Sequence, residues 1–179
     1  MIYMFLAEGF EEVEALCPLD IMRRAGLSVT TVGVGSKNIT GAHGITVVSD
    51  ILDAEYDGRE LEMVFLPGGM PGTLNLAESS VVNGAINTAY ESGKYIAAIC
   101  AAPSILGDMG LLSGKKAVCY PGFENRLAGA ILSDERVVRD GNVITAVGMG
   151  AAAEMGLLIV ELLCGKKKAA ELGRAILYE

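Results

Sequence analysis

The chain has 179 residues, of which 51% are apolar and 20% are charged, so it is long and apolar enough to fold around a core of its own. This composition excludes disordered tails, which are more polar, and small disulfide-stapled scaffolds, which are richer in cysteine. The formal net charge of −8 repels nucleic acid and anionic membrane surfaces alike, and we expect neither as a partner.

Neither a membrane helix nor a signal peptide is expected. No apolar run reaches the ~18 residues that a membrane helix needs. Residues 1–7 lack the basic start of a signal peptide and are followed at once by Glu8. The four cysteines lie far apart and form no CxxC pair, which favours free thiols in a reducing compartment and argues against a zinc site. We therefore expect a cytoplasmic protein without a bound metal.

Short strands and helices alternate along the chain. Continuous apolar runs are typical of strands that are covered on both faces of a parallel sheet, and apolar residues at a helical spacing are typical of packed helices. In chain order, the pattern predicts a strand at 2–7, a helix at 11–25, a strand at 29–34, a hairpin at 38–49, a strand at 63–66, a helix at 80–92, a strand at 95–99, a helix at 103–109, a strand pair at 136–146 that turns at Asp140-Gly141, a helix at 151–163 and a further helix start at Lys166. This order predicts one doubly wound α/β domain over residues 1–179, with helices on both faces of a mostly parallel sheet.

Candidate functional residues follow three of the predicted strands. Ligands of open α/β sheets bind beyond the carboxyl ends of the strands, where the loops converge. A glutamate-rich segment follows the first strand, Gly68-Gly69 follows the third, and the fourth ends at Cys100. The glutamates are Glu8, Glu11, Glu12 and Glu14. At a helix start, such residues are ordinarily solvated carboxylates that interact favourably with the helix dipole.

Cys100 lies between an apolar strand and a helix start, an arrangement that resembles a nucleophile elbow. The helix start would lower the pKa of the thiol and favour the reactive thiolate. Its small neighbours Ala98, Ala101 and Ala102 suit a tight, strained turn. The alternative is a buried and inert cysteine, which is the usual state of a free cysteine, and the spacing alone leaves both interpretations open.

Backbone N–H groups of Gly68, Gly69 and Ala101 are candidates to bind an oxyanion that forms beside Cys100. The alternative is that the two glycines only form a turn. A Cys/His dyad would need His43, the one histidine of the chain, but a histidine between glycines is usually a turn residue.

These motifs together resemble the DJ-one/ThiJ/PfpI superfamily, in its DJ-one branch, over almost the whole chain. The matching segments are 7–15, 22–26, 66–69, 97–103 and the glycine pair Gly148 and Gly150. The resemblance implies a flavodoxin-like sheet like that of class I glutamine amidotransferases, a homodimer, and a nucleophilic Cys100 whose thiolate is hydrogen-bonded by a protonated Glu14. Two anions at hydrogen-bond distance cannot both ionise cheaply, so we expect the pKa of Glu14 to rise and that of Cys100 to fall.

Three positions depart from the family pattern. Protease-like members have a histidine directly after the cysteine, where this chain has Ala101. A histidine that follows the cysteine helix in the DJ-one branch is replaced by Tyr120, which offers a hydroxyl donor as a possible accessory group. An arginine common before the Gly-x-Gly is replaced by Val147. The first departure argues against peptidase activity.

The resemblance implies a cofactor-independent enzyme that acts on reactive dicarbonyls such as methylglyoxal, or on glycated adducts, as a glyoxalase III or deglycase. A second hypothesis is a non-enzymatic sensor of oxidative stress, or a chaperone, that uses oxidation of Cys100. A third, a peptidase or amidotransferase-like hydrolase, lacks its Cys–His pair. Met22 and Ala25 make the first helix apolar for a solvated surface, so we also expect a homodimer that buries this helix.

Overall fold

The computed structural model describes residues 1–178. The strands are β1 (Ile2–Leu6), β2 (Val29–Gly33), β3 (Asn38–Thr40), β4 (Thr46–Val48), β5 (Ile51–Leu52), β6 (Met63–Leu66), β7 (Tyr95–Ile99), β8 (Lys116–Ala117), β9 (Ile131–Leu132), β10 (Val137–Asp140) and β11 (Val143–Ala146). The helices are α1 (Glu12–Arg24), α2 (Gly72–Glu78), α3 (Ser80–Glu91), α4 (Pro103–Asp108), α5 (Ala152–Cys164) and α6 (Lys166–Ala175).

Seven strands form the central sheet, in the order β10-β11-β7-β6-β1-β2-β5. All neighbours in it are parallel except the pair of β10 with β11, which lies at one edge. Strands β3 and β4 form a separate antiparallel hairpin, as predicted for residues 38–49. The predicted α/β fold with a mostly parallel sheet is therefore confirmed.

Both faces of the sheet are covered by helices. On one face, Phe5 and Val64 of the sheet pack with residues of α2, α3 and α4. On the other face, Met4 and Phe65 pack with residues of α1 and α5. Because strand side chains alternate between the faces, every residue of β1 and β6 is buried, which explains their unbroken apolar runs.

The structure corrects the sequence-based elements in a few places. Asp140 stays paired with Val143 in the β10–β11 ladder, so the turn lies at Gly141-Asn142, one residue later than predicted. Helix α2 and the two-residue strands β5, β8 and β9 were not predicted, since such short elements carry little periodicity. Within residues 1–178, no helix has the length and apolar character to cross a membrane.

The parallel register brings the carboxyl ends of four strands, β1, β6, β7 and β11, to the same end of the sheet. Leu66 at the end of β6 pairs with Ala98 of β7, and Ile99 pairs with Ala146 at the end of β11. The chain leaves β1 at the same end, toward the start of α1. The segments that follow these strands therefore meet, as expected for a doubly wound fold.

Candidate active site

Cys100 has a backbone φ of 66°, a left-handed conformation that is unusual for a residue other than glycine. Two backbone hydrogen bonds hold it there. The N–H of Cys100 donates to the carbonyl oxygen of Ala146 at 2.9 Å, and the N–H of Tyr120 donates to the carbonyl oxygen of Cys100 at 2.8 Å. Such a conformation costs about 1–3 kcal/mol and persists where the surroundings impose it. The strained turn predicted at the end of this strand is present.

Glu14 lies in the first turn of α1 and is only 1% exposed. Its Oε2 accepts a hydrogen bond from the N–H of Gly68 at 3.0 Å, and its carboxyl group is hydrogen-bonded to the Cys100 thiol. Burial is the main cause that raises the pKa of Glu14 to about 7, and the nearby charge of Glu11 adds to the rise. Its hydrogen bonds to Cys100, Gly68 and Met149 oppose that rise.

The thiol of Cys100 is partly exposed and faces the Glu14 carboxyl. Burial, then the negative charge of Glu14, raise the pKa of Cys100 to about 12, while the N–H groups of Ala101 and Gly69 lower it. The sequence-based expectation of a lowered cysteine pKa is therefore wrong for a thiol that faces an ionised Glu14. Between these two pKa values the pair carries a single negative charge, because a second anion at this distance is strongly disfavoured.

Glycine is required at two positions around the pair. A Cβ on Gly68 would lie 2.6 Å from the Cβ of Cys100 and 2.6 Å from Oε2 of Glu14. A Cβ on Gly148, which has a φ of 155°, would lie 3.6 Å from Oε1 of Glu14 and 3.3 Å from Cδ2 of Tyr120. Side chains at these positions would fill the space that the two reactive groups share.

The proposed oxyanion donors separate into two roles. The N–H groups of Ala101 and Gly69 act on the sulfur and lower the pKa of Cys100. The N–H of Gly68 is instead taken by the Glu14 carboxyl. We therefore correct the assignment of Gly68: it orients Glu14 and does not bind an oxyanion.

Three exposed side chains belong to segments that adjoin the site. Tyr120, whose N–H donates to the carbonyl oxygen of Cys100, is 51% exposed, and its ring lies beside Gly148. Met149, in the turn after β11, and Met70, two residues after Gly68, are also exposed. Tyr120 is thus near the pair and remains a possible accessory donor.

Glu12 differs from the solvated carboxylate that the sequence predicts, because it is only 3% exposed. Its Oε1 accepts hydrogen bonds from the N–H groups of His43 at 2.8 Å and Ile45 at 3.3 Å, and its Oε2 lies 2.9 Å from Nδ1 of His43. His43 is therefore the partner of Glu12, and the considered Cys/His dyad is not formed. The signal that sequence reasoning missed is Gly41, where a Cβ would lie 2.4 Å from Oε1 of Glu12.

The other glutamates keep ordinary structural roles. Glu11 caps α1, since its Oε2 accepts the N–H of Glu14 at 2.7 Å. Glu8 is exposed and accepts the N–H of Thr40 at 3.1 Å. Ligand atoms of Glu11, Glu12 and His43 lie within 4.8 Å of one another, but the hydrogen bonds of the buried Glu12 already use both of its oxygens.

The fold and site together define a class of α/β proteins in which a strained cysteine at a strand end is paired with a buried glutamate of the first helix. The sequence profile described as "DJ-1/PfpI family" matches residues 1–162. The chain is 37% identical over 177 residues to Protein dj-1beta of Drosophila melanogaster, covering 97% of this chain and 95% of that protein. It is 32% identical over 163 residues to a Caenorhabditis elegans protein named glutathione-independent glyoxalase DJR-1.2, covering 90% and 87% of the two chains.

A solved structure named Toxoplasma gondii DJ-1, oxidized, superposes with a TM-score of 0.94 at 31% identity, over 98% of this chain and 97% of that one. The chain belongs to the DJ-1/PfpI family, and the resemblance recognised in its motifs is confirmed.

Proposed function

We propose that this protein is a cofactor-independent enzyme that acts on reactive dicarbonyls such as methylglyoxal, as a glyoxalase III or deglycase. The observation that carries the proposal is the Cys100–Glu14 pair, a strained thiol hydrogen-bonded to a buried carboxyl group whose pKa is near neutrality. Catalytic acid–base groups work best when their pKa lies near the working pH. The relative named as a glutathione-independent glyoxalase supports this reading.

The proposal requires the single negative charge of the pair to lie on sulfur, with the proton on Glu14. Burial and the neighbouring Glu11 both disfavour a charge on Glu14. Burial of Cys100 opposes a charge on sulfur, but the N–H groups of Ala101 and Gly69 favour it. A protonated Glu14 then donates a hydrogen bond to the thiolate and no longer repels it.

The reaction follows from these groups. The Cys100 thiolate adds to the aldehyde carbon, and the displaced electron pair forms an oxyanion that the N–H groups of Gly69 and Ala101 bind. Glu14 gives its proton to this oxygen, and a hemithioacetal results. The Glu14 carboxylate then moves the hydrogen of that carbon to the adjacent ketone carbon, and the hydroxyl proton passes to the former ketone oxygen, which leaves a thioester beside a new alcohol. Water adds to the thioester carbon and the C–S bond breaks, which restores the Cys100 thiolate. Lactate leaves, one proton returns to Glu14 and one passes to solvent.

A peroxide sensor is the second candidate, favoured by the partial exposure of the same thiol and by the solved relative named as oxidized. The thiolate would attack hydrogen peroxide, so that an S–O bond forms and the O–O bond breaks, and the departing hydroxide takes the proton of Glu14 and leaves as water. Mass spectrometry after graded methylglyoxal or peroxide treatment, read beside a lactate assay without glutathione, separates the two. Catalytic lactate supports the enzyme, whereas stoichiometric oxidation without lactate supports the sensor.

Cys100 is expected to react first with iodoacetamide near neutral pH, because the thiolate is the nucleophile and the proposed proton on Glu14 leaves the charge of the pair on sulfur. Burial raises the pKa of Cys17, and it raises the pKa of Cys119 to about 11. Peptide mapping of the alkylated, folded protein measures the order, with Cys100→Ser as the control. Earlier labelling of Cys17, Cys119 or Cys164 would contradict a reactive Cys100.

We also propose that the protein is a homodimer, but its apolar contact surface differs from the one that the sequence suggested. Met22 is fully buried in the chain's own core and is not available to a partner. The exposed apolar side chains are instead Val13 on α1, which is 43% exposed, and Ile45 and Val48 of the hairpin, which are 54% and 73% exposed. Because Glu12 binds the N–H of Ile45, helix and hairpin are joined at this surface.

We expect light scattering to give twice the mass of one chain, because pairing would cover these side chains. Val13→Glu should shift the mass toward one chain, and Leu177→Glu, a change at an exposed residue far along the sequence, should not. A single-chain mass for the unchanged protein at micromolar concentration would rule the dimer out.

The four free cysteines suit a reducing compartment, and we propose the cytoplasm.

A further inference from the structure

We propose that Arg136 is a positioning residue for the Cys100–Glu14 pair and acts through the turn 148–151. The inference rests on the proposed function of that pair, and it assigns a role to an exposed arginine that touches neither reactive group. Three observations connect the guanidinium to Glu14. The guanidinium binds the turn, a hydrogen bond closes the turn, and the turn contacts the Glu14 carboxyl.

The turn follows β11 and lies directly against Glu14. Gly148 leaves the strand with a φ of 155°, and the N–H of Ala151 donates to the carbonyl oxygen of Gly148 at 2.8 Å, which closes the turn. Oε1 of Glu14 would lie 3.6 Å from a Cβ on Gly148. The N–H of Met149 acts on the same carboxyl group and favours its charged form. A shift of this turn would therefore move a donor that faces Glu14.

Arg136 binds this turn from outside the site. Its carbonyl oxygen accepts the N–H of Val147 at 3.0 Å, and its Nη2 donates to the carbonyl oxygen of Gly150. Its Nε lies 3.5 Å from Oε2 of Glu154 in the first turn of α5, which orients the guanidinium. Arg136 thus holds both ends of residues 147–150. A planar guanidinium fixes two partners in one geometry, which a lysine ammonium does not.

Removing the Arg136 guanidinium should loosen the turn. The hydrogen bond that the N–H of Met149 donates to the Glu14 carboxyl should then weaken. The charged form of Glu14 then loses a hydrogen bond, so its pKa should rise by about 0.5 to 1 pH unit. The other titratable groups that face Glu14 are Glu11 and Cys100, and neither contacts Arg136. Replacing Cys100 by serine removes the thiol from the titration, so that Glu14 can be followed alone.

The experiment measures the Glu14 carboxyl by carbon-13 NMR against pH in Cys100→Ser protein, with and without Arg136→Met. We expect the titration midpoint to rise with Arg136→Met and to stay raised with Arg136→Lys, because lysine keeps the positive charge but does not fix both partners in one geometry. Arg139→Met is the matched control, because Arg139 donates to Gly141 and stacks over Tyr95, away from the turn. Glu154→Gln, which removes the ion partner of Arg136, should give a smaller rise and serves if Arg136→Met does not fold.

An unmoved midpoint in Arg136→Met or Glu154→Gln overturns the positioning role, as does an equal rise in Arg139→Met. Loss of folding stability alone, without a change in the midpoint, shows a merely structural arginine and overturns it as well. The titration needs no turnover, so it is separate from the proposed function. A wild-type protein without lactate production overturns that function, while a moved midpoint still supports the role of Arg136.

Discussion

Glu14→Leu is expected to lower methylglyoxal turnover by about 10²- to 10⁴-fold, because it removes the group that carries protons between the reacting atoms. Glu14→Gln should lower turnover as well, since an amide has no titrating proton. The two variants differ at the sulfur: Gln still presents an N–H donor, whereas Leu presents none. The thiolate of Cys100 should therefore remain partly stabilised in Glu14→Gln and lose about one to two pKa units of stabilisation in Glu14→Leu.

Lactate formation and the ultraviolet absorbance of the thiolate against pH measure the two effects. Glu8→Gln is the control, because Glu8 is an exposed neighbour whose acceptor oxygen is retained by Gln. An unchanged Cys100 titration in Glu14→Leu, or a larger change in Glu8→Gln, would show that the thiol has another partner.

Glu12→Ala is expected to lower the free energy of unfolding by about 2 kcal/mol, because it removes a buried carboxylate that accepts hydrogen bonds from two N–H groups. These groups belong to His43 and Ile45, so the change also releases the hairpin from α1. Glu12→Gln keeps one acceptor and should cost about half as much. Urea unfolding measures the effect, with Glu8→Ala as the exposed control that should change stability by less than ~0.5 kcal/mol.

The contribution of Glu12 also has a defined pH dependence. Hydrogen bonds, first of all with His43, hold the pKa of Glu12 below its ordinary value despite its burial. Its stabilising effect is therefore complete above the ordinary carboxyl pKa and is lost as the pH falls through the lowered value. The hydrogen bond with Glu12 raises the pKa of His43. The part of the stabilisation that needs a charged imidazole is therefore lost as the pH rises through that raised value. An equal unfolding free energy for Glu12→Ala and Glu8→Ala would contradict the buried role.

The strands, the main helices and the turn at Cys100 were predictable because a short stretch of sequence determines each of them. The run of β7 and the small residues after it predict a tight turn, and the structure places Cys100 at a φ of 66° there. The family motifs added Glu14 as the partner, and the structure brings its carboxyl to the thiol.

The rest depends on contacts between distant segments. Glu12 reads as a helix-start carboxylate, and only the hairpin 31 positions away shows that it is buried. Likewise, the N–H of Gly68 is used by Glu14, 54 positions earlier in the chain, and local patterns do not encode such a pairing. The pKa of Cys100 depends on the same kind of contact: burial and an ionised Glu14 raise it, whereas the N–H groups of Ala101 and Gly69 lower it.

The ultraviolet absorbance of the Cys100 thiolate, titrated in the wild-type protein with Cys100→Ser subtracted, tests the central claim most directly. That claim is that Glu14 holds the proton and Cys100 holds the single negative charge of the pair. The pair loses its first proton near the pKa of about 7 that burial gives Glu14, so we predict a thiolate signal with its midpoint at or below about 7. A thiolate that appears only as the pH approaches about 12, the pKa of Cys100 beside an ionised Glu14, would show that the charge lies on the carboxylate and would contradict the account.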